Sequence, residues 1–381
     1  MRIAIIQGAF LPVPAIMGGA VEKMWFSLGK EFAQQGHEVM HLSRKAEGLP
    51  QSEIIDGVHH VRVTGFDAPK SGILLKFRDL IYTLNVRKVL PTDFDIIISN
   101  TFWAPVLLQK KNRDVCVVDV ERMPKGQMRL YHKCAKIRTP SAFVAEAVRK
   151  ELPGAVHNKI VTIPSPLPFN PRLKINSALK KPVILYVGRI HPEKGLDLLI
   201  NAFKQTSQKY RLQLVGPWEI SAGGGGKEYL DSLRQLAGDA AVDFVGPVFN
   251  IEVLNGFYID APIFIYPSIA ENGETFGLAP LEAMAWGCVP IVSNLACFQD
   301  FIFQDENGLI FDHRAQNAVE QLAGQIRRVQ EDDELREKLS RNGLNVRYTH
   351  SIQHVASLFL REFNRIVRKP IQSNGNQPAY S

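Results

Sequence analysis

Apolar residues fall along this chain in two rhythms. Short unbroken runs such as Ile3 to Ile6 alternate with longer stretches in which apolar positions recur every third or fourth residue. The first rhythm is that of strands covered on both faces; the second is that of helices with one buried stripe. A strand is expected over 2–7. A loop with Gly18 and Gly19 follows, then a helix over 21–35 with the stripe Val21, Trp25, Leu28 and Phe32, closed by Gly36. Further strands are expected at 38–43, 58–64, 95–99, 115–118 and 159–163. Residues 137–141 read as the approach to a helix at 142–152, capped by Ser141.

The rhythm restarts at 182–187. Strands at 212–215, 242–245, 263–267, 289–293 and 308–311 alternate with helices at 196–208, 227–236, 251–259, 281–286, 315–330, 332–343 and 350–368. Such alternation in both halves predicts an α/β protein with two Rossmann-like, doubly wound parallel sheets. Pro164, Pro166, Pro168 and Pro171 crowd the junction and suit a stiff linker. The chain then divides into 1–168, 169–349, a C-terminal helix at 350–370 and a disordered tail at 371–381.

Composition narrows the class. Apolar residues make up 45% of the chain, as in a protein with sizeable cores, and no run approaches the ~18 residues of a spanning helix. Cys116, Cys134, Cys288 and Cys297 form no C-x-x-C pair, which fits a reduced, cytoplasmic protein. The net charge of +7 is uneven: residues 1–168 hold 23 Lys and Arg against 15 Asp and Glu, the remainder 22 against 23. A basic half calls for an anionic partner. In the stretch 70–90, Ile73, Phe77, Leu80, Ile81 and Leu84 share one helical face, with Lys70, Lys76, Arg78, Arg87 and Lys88 off it. That pattern serves either an anionic membrane surface, at its cytoplasmic side, or a core-packed helix with a solvated face. Nucleic acid is not expected, and the chain should be a monomer or weak dimer.

The candidate chemistry gathers in the second half. Glu274 and Glu282 bracket Thr275-Phe276-Gly277-Leu278 and a helix entered through Pro280. A loop with free N–H groups at a helix start suits anionic or hydroxyl-rich ligands. Upstream, Arg189 and Lys194 follow the strand at 182–187, where an arginine fork and a lysine charge can clamp a pyrophosphate. Gly223 to Gly226 form either a phosphate cradle or a mobile loop. In the first half the dinucleotide fingerprint G-x-G-x-x-G is absent, so a nicotinamide cofactor is weakly supported. Asp119 and Glu121 stand at the end of a parallel strand, the usual side of a ligand crevice. Asp93-Phe94-Asp95 has the spacing of a metal-binding D-x-D but precedes its strand, and no catalytic metal is expected.

Two motifs carry a resemblance: Glu274-x7-Glu282 running into Gly287-Cys288-Val289-Pro290-Ile291-Val292-Ser293, and Val187-Gly188-Arg189-Ile190-His191-Pro192-Glu193-Lys194-Gly195. In this order they resemble the retaining family 4 glycosyltransferases. The resemblance implies the glycosyltransferase B fold, two Rossmann-like domains facing a cleft, with the C-terminal helix crossing back onto the first. It implies a UDP- or GDP-linked sugar as donor substrate, no cofactor, and a glycan or lipid-linked acceptor, as in bacterial surface polysaccharide or lipopolysaccharide synthesis. It assigns Arg189, Lys194 and Glu274 to catalysis. It places Gly18, Gly19, Thr275, Phe276, Gly277, Leu278 and Glu282 around the donor, with Glu282 on the ribose. The family's histidine after the fifth strand is replaced here by Ser99-Asn100-Thr101, leaving Asn100, Asp119 and Glu121 as acceptor-side candidates. A nucleotide-sugar epimerase and a non-catalytic lipid-binding module are the competing classes.

Overall fold

The structure, a computed structural model, describes residues 1–171, 180–207 and 209–368. The first domain carries β1 (Arg2–Ile6), β2 (Glu38–Arg44), β3 (Ser52–Ile55), β4 (Val58–Val63), β5 (Ile96–Ser99), β6 (Cys116–Asp119), β7 (Lys136–Thr139) and β8 (Ile160–Thr162). They form one sheet in the order β3-β4-β2-β1-β5-β6-β7-β8, parallel except for β3 against β4. Helices α1 (Ala20–Gln34), α2 (Gly72–Val89), α3 (Ala104–Leu107), α4 (Lys110–Arg113) and α5 (Ala142–Glu151) complete it.

The second domain holds β9 (Val183–Val187), β10 (Arg211–Val215), β11 (Val242–Gly246), β12 (Ile263–Tyr266), β13 (Val289–Ser293) and β14 (Leu309–Phe311) in the order β11-β10-β9-β12-β13-β14, all parallel. Its helices are α6 (Leu196–Phe203), α7 (Gly226–Ala237), α8 (Ile251–Asp260), α9 (Leu278–Ala285), α10 (Ala318–Glu331), α11 (Asp333–Gly343) and α12 (Val346–Thr349). In each sheet the order reverses once, between β1 and β5 and between β9 and β12. Loops leaving strands on either side of a reversal part in opposite directions and leave a crevice at the carboxyl ends.

The last helix, α13 (Ile352–Val367), leaves the second domain and packs on α1 of the first. Phe359 meets Trp25 edge-on at 5.1 Å between centroids, and Phe363 meets Phe32 at 5.8 Å. All four rings are buried, so this helix belongs to the first domain's core. Leu167 N–H donates to His350 carbonyl at 2.8 Å, tying the interdomain crossing to the start of that helix. The tail from 371 lies outside the described residues.

Several elements differ from the sequence reading. Residues 136–139 form strand β7, not the approach to a helix, because Ile137 and Thr139 fill the core while Arg138 is held by buried partners. Helix α9 begins at Leu278, three residues early, because Gly277 turns the backbone with φ 98° and lets the helix start at once. Helix α2 buries Asp79, Tyr82, Thr83 and Val86. Its apolar stripe therefore points outward: Ile73 is 85% exposed and Phe77 56%. Asp93 and Asp95 both bind Arg2, Asp95 through the Arg2 N–H at 2.7 Å and Asp93 through the guanidinium. No described helix is long and apolar enough to cross a membrane.

Candidate active site

The loops at the two switch points face each other across a cavity of about 560 Å³. From the first domain come Gly19, Val21, Lys23 and Glu121; from the second come Leu278, Glu282 and the start of α8. Gly19 holds a backbone conformation that favours glycine, with φ 104°, and a Cβ there would crowd Leu11 and the Glu22 carboxylate. Gly277 is equally constrained, since a Cβ there would strike the Phe298 ring at 2.5 Å. Gly18, with φ 81°, has open space beside it.

Glu282 lies one turn into α9 and faces this cavity. Its Oε2 accepts from the buried Tyr258 hydroxyl at 3.1 Å. Burial pushes the carboxyl up to about 7, with the Tyr258 bond and Lys23 pulling the other way. An acceptor oxygen of this kind, fixed by a phenol, is suited to the paired hydroxyls of a ribose. Before it, the N–H groups of Phe276, Gly277 and Leu278 donate to no acceptor among the described residues. The Phe276 ring itself is core, packed on Phe301 at 5.3 Å.

Arg189, Lys194 and Glu274 form a connected ion cluster at the carboxyl ends of β9 and β12. Lys194, 5% exposed, is paired with Glu274. Glu274 Oε1 also accepts from Tyr266 at 3.0 Å and Ser268 at 3.1 Å. Arg189 reaches Glu193 at 2.5 Å and the Gly223 carbonyl at 2.7 Å, and Glu193 lies 3.7 Å from Lys194. None of the three lines the 560 Å³ cavity; Glu274 instead lines a smaller one of about 320 Å³ with Asn294 and Arg314. The four-glycine loop does not present its N–H groups to a ligand. Gly223, Gly224, Gly225 and Gly226 donate to Ile220, Glu219, Ile190 and Trp218 carbonyls. Its contribution is the Gly223 carbonyl that holds Arg189.

Thr275, read as a donor contact, clasps the two domains. Its hydroxyl donates to the Glu121 carbonyl at 3.1 Å, and its carbonyl accepts from Ser141 Oγ at 2.7 Å. Asp119 and Glu121 share the guanidinium of Arg138, which is wholly buried. Asp119 also accepts from Trp25 Nε1 at 2.7 Å. Burial lifts the Glu121 carboxyl, with Arg138 opposing and Asp119 adding to the rise. Asn100 sits beside them at the end of β5, its Oδ1 buried without a partner.

Sequence reasoning missed Glu22, Asp79, Glu193, Arg138 and Tyr258. One had a signal: Asp79 is the one acid within a basic helix. Tyr258 had none, since its reach to Glu282 depends on how α8 meets α9.

The comparisons agree with this arrangement. Residues 170–346 match the sequence profile of the family described as glycosyl transferases group 1. The second domain is therefore similar to the domain that this profile describes. Together, the two sheets, their facing switch points and the returning α13 make the glycosyltransferase B fold. Sucrose-phosphate synthase from Thermosynechococcus elongatus superposes with TM-score 0.79 at 20% identity, over 96% of this chain and 99% of that one. Anabaena HepE in complex with UDP and glucose superposes with TM-score 0.69 at 16% identity, over 96% and 100%. Lipopolysaccharide 1,2-N-acetylglucosaminetransferase of Salmonella typhimurium is 28% identical over 237 residues, 59% of this chain and 61% of that relative's length.

Proposed function

We propose that this chain is a retaining, metal-independent glycosyltransferase that moves a hexose from a UDP- or GDP-linked sugar to a glycan or lipid-linked acceptor. The observation that carries the reading is the cavity between the two switch points, walled by the Gly19 loop on one side and by Leu278 and Glu282 on the other. The nucleotide's ribose hydroxyls donate to Glu282. The diphosphate takes the free N–H groups at the start of α9, where the helix dipole adds about 0.3–1 kcal/mol. As the glycosidic bond breaks, charge grows on the departing diphosphate. Arg189 and Lys194 neutralise it in place of a divalent ion, exchanging part of their hold on Glu193 and Glu274 for phosphate oxygens. Glu274, fixed by Tyr266 and Ser268, holds hydroxyls of the transferred sugar. The acceptor attacks from the face the diphosphate leaves, and a diphosphate oxygen takes its proton.

HepE, solved in complex with UDP and glucose, supports a nucleotide-linked sugar, and the Salmonella relative's name supports a lipopolysaccharide setting. The exposed Ile73 and Phe77 on α2, beside Lys70 and Lys76, suit a peripheral position on the anionic cytoplasmic face of a membrane. The test is a thermal-shift panel of nucleoside diphosphates and their sugars, followed by assay of diphosphate release with and without acceptor. Stabilisation by one base and release that requires acceptor support the proposal. No stabilisation by any nucleotide overturns it, and sugar isomerisation without diphosphate release points to an epimerase.

A further inference from the structure

The first domain has a cavity of its own, of about 310 Å³, at the carboxyl ends of β1, β5 and β6. Val21 and Glu121 line both it and the interdomain cavity, so the two adjoin. Its size is at the lower end of small-ligand pockets.

Its polar lining is one-sided. Glu22, Asp79, Asp119 and Glu121 bring carboxylates and Asn100 a carbonyl; Arg122 is the one cation among the lining residues. Asp119 and Glu121 are committed to Arg138. The other three keep oxygen capacity. Asp79, 3% exposed, accepts the Phe102 and Trp103 N–H groups at 3.1 and 3.0 Å, both on Oδ2. Its Oδ1 has no hydrogen-bond partner among the described residues. Glu22 accepts from Gln7 Nε2 at 3.2 Å on Oε1, and its Oε2 lies against Gly19. Asn100 Oδ1 is buried and unpartnered. Apolar and aromatic residues complete the lining, with Phe102 and Tyr131 edge-on at 6.4 Å.

Buried acceptor oxygens call for donors, and a nonpolar wall calls for C–H groups. A sugar ring offers both, hydroxyls at its rim and C–H on its faces. A phosphate or uronate would enter a low-dielectric site already crowded with carboxylates, and would supply acceptors where donors are needed. We infer that this cavity, on the acceptor side of the proposed reaction, takes an uncharged, hydroxyl-bearing sugar ring, and that Glu22 and Asp79 set this specificity. The inference rests on the transferase reading and narrows its acceptor.

The test uses the intact protein and saturation-transfer NMR. The probes are methyl hexosides of gluco, galacto and manno configuration, their 6-phosphates, the matching uronates and the 2-amino sugars, each with and without UDP or GDP. Neutral hexosides should bind at least tenfold more tightly than the anionic probes. Glu22→Gln and Asp79→Asn should each weaken that binding at least tenfold while nucleotide affinity and thermal midpoint hold, which excludes a folding defect. The inference is overturned if phosphates or uronates bind as well, if the amines are preferred, if no glycoside binds, or if both folded variants keep wild-type affinity. Glycoside discrimination without nucleotide binding would remove the transferase reading and leave the neutral-ring site. Nucleotide binding without that discrimination would remove only this inference.

Discussion

Replacing Glu282 by Gln should make the ligand-free protein more stable and bind nucleotide sugars less tightly. The carboxyl is pushed from 4.5 up to about 7 by burial beside the cavity. Because the folded value is raised, the stability carried by the protonated form is complete below about pH 4.5 and is lost as pH rises through about 7. A shift of that size corresponds to about 3 kcal/mol for a dry carboxyl. Glu282 opens on a cavity wide enough for water, so screening reduces the expected cost to about 1.5 kcal/mol. Glutamine fills the same volume, still accepts from Tyr258, and does not titrate.

Thermal unfolding of both proteins at pH 5, 6, 7 and 8 reads this directly. The variant should gain on the wild type as pH rises, reaching roughly 3–6 °C at pH 8. Donor affinity should move the other way. Loss of the charged acceptor removes hydrogen bonds worth about 1.5–3 kcal/mol, or roughly ten- to a hundredfold in nucleotide affinity by calorimetry. The wild type's affinity should also climb from pH 6 to 8 as the carboxyl ionises, and the variant's should stay flat. Parallel melting profiles across the whole pH range, or unchanged nucleotide affinity at pH 8, would refute the reasoning.

Arg189→Ala should lose roughly 2–4 kcal/mol of transition-state stabilisation, about 30- to 1000-fold in turnover, with an unchanged melting profile because the side chain is exposed. Lys194→Ala should lose activity and also cost about 3–5 kcal/mol of stability, since it strands Glu274 as a buried unpaired charge; denaturant titration of Lys194→Met with Glu274→Gln should show that stability restored without turnover. Phe359→Ala should cost about 3–5 kcal/mol in the same titration, by opening a cavity between α13 and Trp25. Activity should persist in EDTA, and a loss restored by Mg²⁺ would overturn the metal-independent mechanism. Phe77→Ser combined with Lys76→Glu should abolish co-sedimentation with anionic liposomes at low salt, leaving nucleotide affinity intact.

The architecture was legible wherever the apolar rhythm was strong. Strands buried on both faces, such as β1, β5 and β12, must be nearly continuous hydrophobic runs, and they stand out as such. Strand β7 did not, because Lys136-Ile137-Arg138-Thr139 holds a single apolar residue and only Asp119 and Glu121, far away in sequence, make the Arg138 charge tolerable inside. The stripe on α2 was legible but its orientation was not. Helical spacing gives a face; only packing says whether the core takes that face or the one through Asp79, Tyr82 and Val86. The same limit holds at the site. The resemblance marks Arg189, Lys194 and Glu274 as a group, whereas their mutual neutralisation follows from β9 lying beside β12.

That neutralisation bears on how the two halves work together. A lone arginine and lysine aimed at a cavity would bind any anion; paired with Glu193 and Glu274, they release charge only to a ligand that can replace both partners. The loop carrying Glu274 also carries Thr275, which is bonded to the Glu121 backbone and to Ser141 across the cleft. Ala142 N–H adds a third crossing bond, to Asp300 at 2.7 Å. Each such bond contributes about 0.5–1.5 kcal/mol, and Phe143, packed against the cores of both domains, adds apolar contact at the same edge. Glu121 in turn lines the first domain's own cavity together with Glu22 and Asp79. The donor loop and the acceptor-side wall are thus bonded to each other across the cleft. On the proposed function, a nucleotide sugar seated on α9 fixes the loop, and the loop, through Thr275, fixes the wall against which the second sugar lies.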